Sequence, residues 1–139
     1  MRWRGFQFYN MEHLLTISEI TVQYRPKKAN RPKITTSYEA MTIARQFFPA
    51  DTIELQERFV VIYLNRANRV IGIYPVSVGG ITGTVADIRL ILSVALKAAA
   101  TGIILVHNHP SGNLKPSNAD ILLSPDDSIY HSFADEGII

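Results

Sequence analysis

Two histidines separated by one residue begin the part of the sequence with the clearest chemical content, VHNHPSGNLKPSNAD at residues 106–120. His107 and His109 follow a short apolar run, and Asp120 comes after a turn rich in proline and glycine. In an extended backbone, side chains two residues apart leave on the same face, with Cα atoms roughly 6.5–7 Å apart. Two imidazoles at that separation can bind one metal ion, and imidazole is a common ligand of zinc, copper, iron and nickel.

A third ligand must come from beyond the turn. Pro110 fixes its own φ and favours an extended conformation at His109. The letters SGN suit a tight reversal, and KPSNAD resembles a helix start with Asp120 in its first turn. Ser117 is a candidate N-cap whose hydroxyl would face the same site. Two imidazoles, one carboxylate and one open position are the arrangement of a catalytic zinc.

A hydrolytic zinc site also needs a general base, which is usually a carboxylate. The candidates are Asp51, Glu54, Glu57 and Asp87. We favour Glu57, because it precedes the apolar strand FVVIYLN, which we expect to lie beside IILVH. An acidic residue at the start of an apolar strand is unexpected unless it has a function at that end of the sheet.

The strands that would position these residues are predicted from β-rich runs. Residues 59–64 are nearly all apolar, so we expect a strand buried on both faces. Residues 70–78 form the return strand after the turn NRANR, and IILV at 103–106 leads to the first histidine. The alternating stretch ISEITVQYR at 17–25 predicts a further strand.

Two helices are predicted from apolar spacing. The first follows Ser37, a plausible N-cap, and ends before Pro49. The second covers residues 85–101 and is apolar on most of its surface, as in a central buried helix. Gly102 is its natural C′ residue.

The composition limits the function classes. The chain has 139 residues, 47% hydrophobic and 19% charged, so we expect one domain with a packed core. A net charge of +2 gives no strong argument for nucleic acid. The absence of cysteine excludes disulfides and thiolate metal sites and favours a reducing, cytoplasmic location. The most apolar window contains Arg89 and Lys97, so we expect no membrane span. No oligomeric state is predicted.

Each feature has an ordinary structural alternative. An H-x-H pair can be part of a turn or of a satisfied core, Glu57 can be a cap, and Ser117 is most often a helix cap. His13 and His131 have no motif around them and are expected at the surface. A zinc deaminase is excluded because its P-C-x-x-C motif needs cysteine.

Together, the residues reproduce a family motif: Glu57, His107-x-His109-Pro110 and Ser117-x-x-Asp120. This pattern resembles the JAMM motif of JAB1/MPN/Mov34 metalloproteases. HNHPSGNLKPS and SFADEG are similar to the bacterial RadC branch, often described as DNA repair proteins. The similarity covers most of residues 12–139, which we expect to form a RadC-like JAB/MPN domain. Residues 1–11 are expected to be a disordered extension, because Met11 is a plausible start.

The resemblance implies an α/β fold with a mixed, curved β-sheet flanked by helices, similar to cytidine deaminases. It implies that His107, His109 and Asp120 bind Zn²⁺ and that Glu57 is the general base for the zinc-bound water. Ser117 would help to stabilise the tetrahedral intermediate. The implied reaction is hydrolysis of a peptide or isopeptide bond, with a peptide or protein as substrate.

One segment departs from the family pattern. In relatives, the motif aspartate begins a long helix that leads to a strand before SFADEG, whereas NADILLSPDDSIYHSFADEG joins the two ends directly. The C-terminal helix and strand are therefore expected to be shortened, and Asp120 is either the ligand or beside the junction. This motivates a second hypothesis, a non-catalytic JAB module that acts as a binding scaffold. A third, DNA binding, rests on the family label alone, since no basic stripe with interleaved aromatics is present.

Overall fold

A computed structural model describes residues 18, 20–27, 30–79 and 86–112. In chain order, its elements are α1 (Ser37–Ala44), a short 3₁₀ helix (Arg45–Phe47), β1 (Arg58–Leu64), β2 (Val70–Val78), α2 (Ile88–Ala98) and β3 (Gly102–His107). The predicted α/β class is confirmed. The expected extension at 1–11 and the shortened C-terminal elements lie outside the described residues.

The three strands form a sheet with the order β2-β1-β3, so β1 is central. Both pairings among the described strands are antiparallel. In the pairing of β1 with β3, Phe59 lies opposite His107 and Leu64 lies opposite Gly102. The prediction that the FVVIYLN and IILVH strands are neighbours in the sheet is therefore confirmed.

The central strand is buried on both faces, as its apolar sequence predicts. Every residue from Phe59 to Leu64 is buried. Because side chains alternate along a strand, they contribute to two different cores. Val60, Ile62 and Leu64 pack with residues of α1 and with Val106. The alternate residues Phe59, Val61 and Tyr63 pack against Ile91 of α2.

Helix α1 begins one residue earlier than the sequence indicates. The N-cap is Thr36, not Ser37: the Thr36 hydroxyl accepts a hydrogen bond from the Glu39 N–H, at 3.3 Å. The Glu39 carboxylate in turn accepts from the Thr36 N–H at 3.1 Å, which completes a capping box. The Thr35 N–H and hydroxyl and the Thr36 N–H donate hydrogen bonds to the Glu39 carboxylate, and these bonds lower the pKa of that carboxyl.

Helix α2 corrects two expectations. The prediction of a central buried helix is wrong, because Ile91 is its only buried residue within the described range. Among the described residues, α2 is the helix that packs on this face of the sheet, and its outer side is exposed. The C-terminal position with left-handed backbone is Ala99, with φ of 52°, rather than Gly102, which begins β3.

The described part of the predicted strand at 17–25 is not in a strand. Tyr24 nevertheless contacts the sheet, because its hydroxyl donates a hydrogen bond to the Ile71 carbonyl at 2.7 Å. No helix among the described residues is long and apolar enough to cross a membrane.

Candidate metal centre

The imidazoles of His107 and His109 converge at the end of β3. Their Nε2 atoms lie 2.6 Å apart, and their ring centroids are 4.6 Å apart at a tilt of 49°. A tetrahedral zinc with bonds of about 2.0–2.1 Å would hold the two nitrogens about 3.4 Å apart. A separation change of under about 1 Å would therefore make room for the ion. The donor type and the shared direction of the two nitrogens fit a zinc site.

The His107 ring is held in place by its neighbours. Only 5% of the residue is exposed. The ring stacks on Phe59, with centroids 5.5 Å apart and planes 14° apart. Phe59 is the partner of His107 in the register of β1 with β3, so the same pairing that forms the sheet also orients the imidazole.

Glu57 lies near the end of the sheet where the imidazoles converge. The register of β1 with β3 ends with Phe59 opposite His107, and Glu57 is two residues before Phe59. Glu57 is half-buried, and its carbonyl accepts a hydrogen bond from the Gly79 N–H at 2.8 Å.

The other candidate bases have different surroundings. Asp87 caps α2: its carboxylate accepts a hydrogen bond from the Arg89 N–H at 2.9 Å and forms a salt bridge with the Arg89 guanidinium. The hydrogen bonds from the Arg89 side chain and backbone lower the pKa of Asp87. Asp51 and Glu54 are exposed in the turn that precedes β1.

Two predicted site residues, Ser117 and Asp120, lie outside the described residues. Within the part of the chain that the structure describes, no group of three or more metal-binding side chains occurs. The structure therefore brings together the side chains of two of the three predicted ligands, His107 and His109. The third ligand stays a prediction.

Sequence reasoning missed Asn108, the residue between the two histidines. Its side chain is fully buried and makes three hydrogen bonds to the backbone of residues 53–58. A signal was available in strand alternation, which sends the middle residue of an H-x-H pair to the opposite face of the sheet. A polar side chain that faces a core must find partners there.

A groove borders the turn at Pro110 and Ser111, which follows the two histidines. It has a volume of about 480 Å³, and its lining is mainly apolar. Its walls are the turn before β1 and the turn after β3; the lining residues are Thr52, Glu54, Leu55, Gln56, Pro110 and Ser111. The groove is open to solvent, and it lies beside Pro110, the residue after His109.

Comparisons with known proteins give a family match. The family model described as "RadC-like JAB domain" matches residues 34–126. A UPF0758 protein of Flavobacterium johnsoniae is 40% identical over 126 residues, which cover 76% of this chain and 53% of the relative. A UPF0758 protein of Porphyromonas gingivalis is 38% identical over 104 residues, covering 60% of this chain and 46% of the relative. This chain thus spans about half the length of the curated relatives that it matches.

Proposed function

Because this chain belongs to the RadC-like JAB domain family, we propose that it is a zinc-dependent metallohydrolase that cleaves peptide or isopeptide bonds. The observation that carries the proposal is the convergence of the His107 and His109 Nε2 atoms at the end of β3. Neutral imidazole is a common zinc ligand, and in this proposal both nitrogens bind the same ion.

The residues that hold zinc in this proposal are His107, His109 and Asp120. When bound, zinc polarises a carbonyl and lowers the pKa of a water molecule that it holds. Three protein ligands leave a position open for water or substrate, as in catalytic zinc sites. The stacking of His107 on Phe59 fixes the direction of one ligand before the ion arrives.

Glu57 transfers the proton. Its carboxylate accepts a proton from the attacking water and delivers it to the nitrogen of the leaving amine. The position of Glu57 two residues before Phe59, which lies opposite His107, supports this role. The Ser117 hydroxyl donates a hydrogen bond to the oxygen that becomes negative when the amide carbonyl is attacked. In this proposal, an extended peptide substrate lies in the groove beside Pro110.

A second candidate function is a non-catalytic binding module. Three apolar side chains on the outer side of α2 favour it: Ile88, Leu92 and Leu96 are 43%, 49% and 83% exposed. They lie at intervals of four residues, so they form one stripe along the helix. The same hydrolysis experiment separates the two candidates.

The test is the substitution Glu57→Gln, which keeps the shape of the side chain and removes its basicity. We expect kcat on a broad peptide and isopeptide library to fall by at least about 100-fold, since general-base catalysis contributes 10²–10⁴-fold. Zinc content should not change. Asp51→Asn, an exposed carboxylate in the turn before β1, is the control and should keep full activity. Zinc-loaded wild-type protein with no Glu57-dependent hydrolysis would favour the binding module.

A further inference from the structure

We propose that Asn108 is a positioning residue, which holds the backbone on both sides of Glu57 at a fixed distance from the two imidazoles. This inference rests on the proposed function for the role of Glu57, but not for the contacts that carry it. Asn108 itself touches neither substrate nor ion in this proposal.

The contacts of Asn108 use its whole amide group. Its Oδ1 accepts a hydrogen bond from the Arg58 N–H at 2.7 Å. Its Nδ2 donates to the Ile53 carbonyl at 2.6 Å and to the Gln56 carbonyl at 3.0 Å. The side chain is 0% exposed, so water does not compete for these bonds. Because both donor hydrogens and the acceptor oxygen have partners, the orientation of the amide is fixed.

These bonds surround the predicted base. Gln56 and Arg58 are the residues immediately before and after Glu57, and Asn108 binds the backbone of both. Asn108 is also the residue between His107 and His109. One buried side chain therefore connects the segment that contains Glu57 to the segment that contains both imidazoles. The two segments are about fifty residues apart in the sequence. Within the described residues, the Glu57 backbone itself is held by the hydrogen bond that its carbonyl accepts from the Gly79 N–H.

The chemistry of these contacts requires an amide. An aspartate has the same shape and can still accept from the Arg58 N–H, but it cannot donate to the two carbonyls. Its charge would also face those carbonyl oxygens inside the core. Asn108→Asp is thus a nearly isosteric change that should release the turn at residues 52–57 while leaving β3 paired.

A matched control exists in the β1–β2 turn. The Asn65 side chain accepts hydrogen bonds from the Ala67 N–H at 2.9 Å and the Arg69 N–H at 3.0 Å. No donation by its amide group is recorded within the described residues, so Asn65→Asp retains both bonds. The two variants add the same charge and differ in whether donated hydrogen bonds are lost.

The first measurement is amide hydrogen exchange on the full chain, which does not depend on catalysis. We expect exchange at residues 52–58 to become at least tenfold faster in Asn108→Asp and to stay unchanged in Asn65→Asp. Residues 103–106 should keep wild-type protection in both variants. If the turn exchanges at the wild-type rate in a folded Asn108→Asp protein, the proposal is overturned.

The second measurement separates positioning from general stability. With zinc loaded, and well below the unfolding midpoint, Asn108→Asp should lower kcat at least tenfold, with KM and zinc content within twofold of wild type. In the Glu57→Gln background, the same substitution should cause no further loss, because Asn108 acts through Glu57. An additional tenfold loss in that background, or wild-type kcat in the single variant, contradicts the proposal.

Two outcomes need separate treatment. If wild-type protein hydrolyses nothing, the proposed function fails, and the exchange measurement alone decides whether Asn108 holds the turn. If Asn108→Asp does not fold, Asn108→Ser replaces it, since a short hydroxyl cannot make all three bonds and adds no charge. Wild-type exchange of the turn in that variant overturns the inference.

Discussion

At the scale of residues, the side chains at the end of β3 differ in their contacts. The imidazoles of His107 and His109 converge with their Nε2 atoms 2.6 Å apart, while Asn108 makes three backbone hydrogen bonds in the core. We propose that this histidine–asparagine–histidine sequence provides two metal ligands and the side chain that locates the predicted base.

A second buried polar residue gives a prediction about pH. The Tyr63 hydroxyl donates a hydrogen bond to the Ile91 carbonyl at 3.0 Å, and burial raises the pKa of Tyr63 to about 12. A tyrosine in the unfolded chain ionises near pH 10. Between about pH 10 and 12 the unfolded chain has lost a proton that the folded chain keeps, so stability falls as pH rises through this range.

Tyr63→Phe should therefore have two effects. At pH 7 the free energy of unfolding should fall by about 1 kcal/mol, the usual value of one hydrogen bond. Above pH 10 it should decline less steeply than in the wild type. Urea unfolding at pH 7 and pH 10.5 measures both, with the exposed Tyr38→Phe as control. An unchanged alkaline slope in Tyr63→Phe would show that this hydroxyl is not protected from ionisation by the fold.

At the scale of elements, the pairing of β1 with β3 assembles the site. It brings the residue before β1 next to the residues after β3, although the two segments are about fifty residues apart in the sequence. Helices α1 and α2 cover opposite faces of β1, and each begins with a capped first turn. The antiparallel register, rather than either helix, fixes which residues can meet at the imidazoles.

The start of α1 gives a prediction that distinguishes two neighbouring hydroxyls. Thr36→Ala removes the capping hydroxyl and should cost about 1 kcal/mol of stability, as is typical of N-caps. Ser37→Ala, inside the first turn, should change stability little, because alanine is the better helix former. Chemical denaturation of both variants is the measurement. A larger loss in Ser37→Ala than in Thr36→Ala would mean that the helix begins where the sequence suggested.

At the scale of the whole molecule, the sequence predicted what depends on local pattern. Burial of β1 on both faces followed from its unbroken apolar run, and the expectation that β1 and β3 are neighbours was confirmed. The residue with left-handed backbone at the end of α2 was not predicted correctly, because Ala99 adopts the conformation that Gly102 was expected to take. The exposure of one side of α2 could not be predicted either, because the apolar content of a helix does not show how many of its sides pack against other elements.

The site itself was predictable only in part. The paired histidines were evident from their spacing and the preceding strand. The support from Asn108 was not, because its partners at residues 53–58 become neighbours only through the sheet. Ser117 and Asp120 rest on the motif and lie outside the described residues.

The account depends most directly on a metal ion at the two imidazoles. Metal analysis of the purified 139-residue chain at neutral pH, after addition of zinc and removal of the excess, is the decisive measurement. We predict close to one zinc per chain in the wild type and in the control His131→Ala, and loss of that zinc in His107→Ala. Wild-type protein that stays metal-free and cannot be loaded, or a His107→Ala variant that keeps its zinc, would contradict the account.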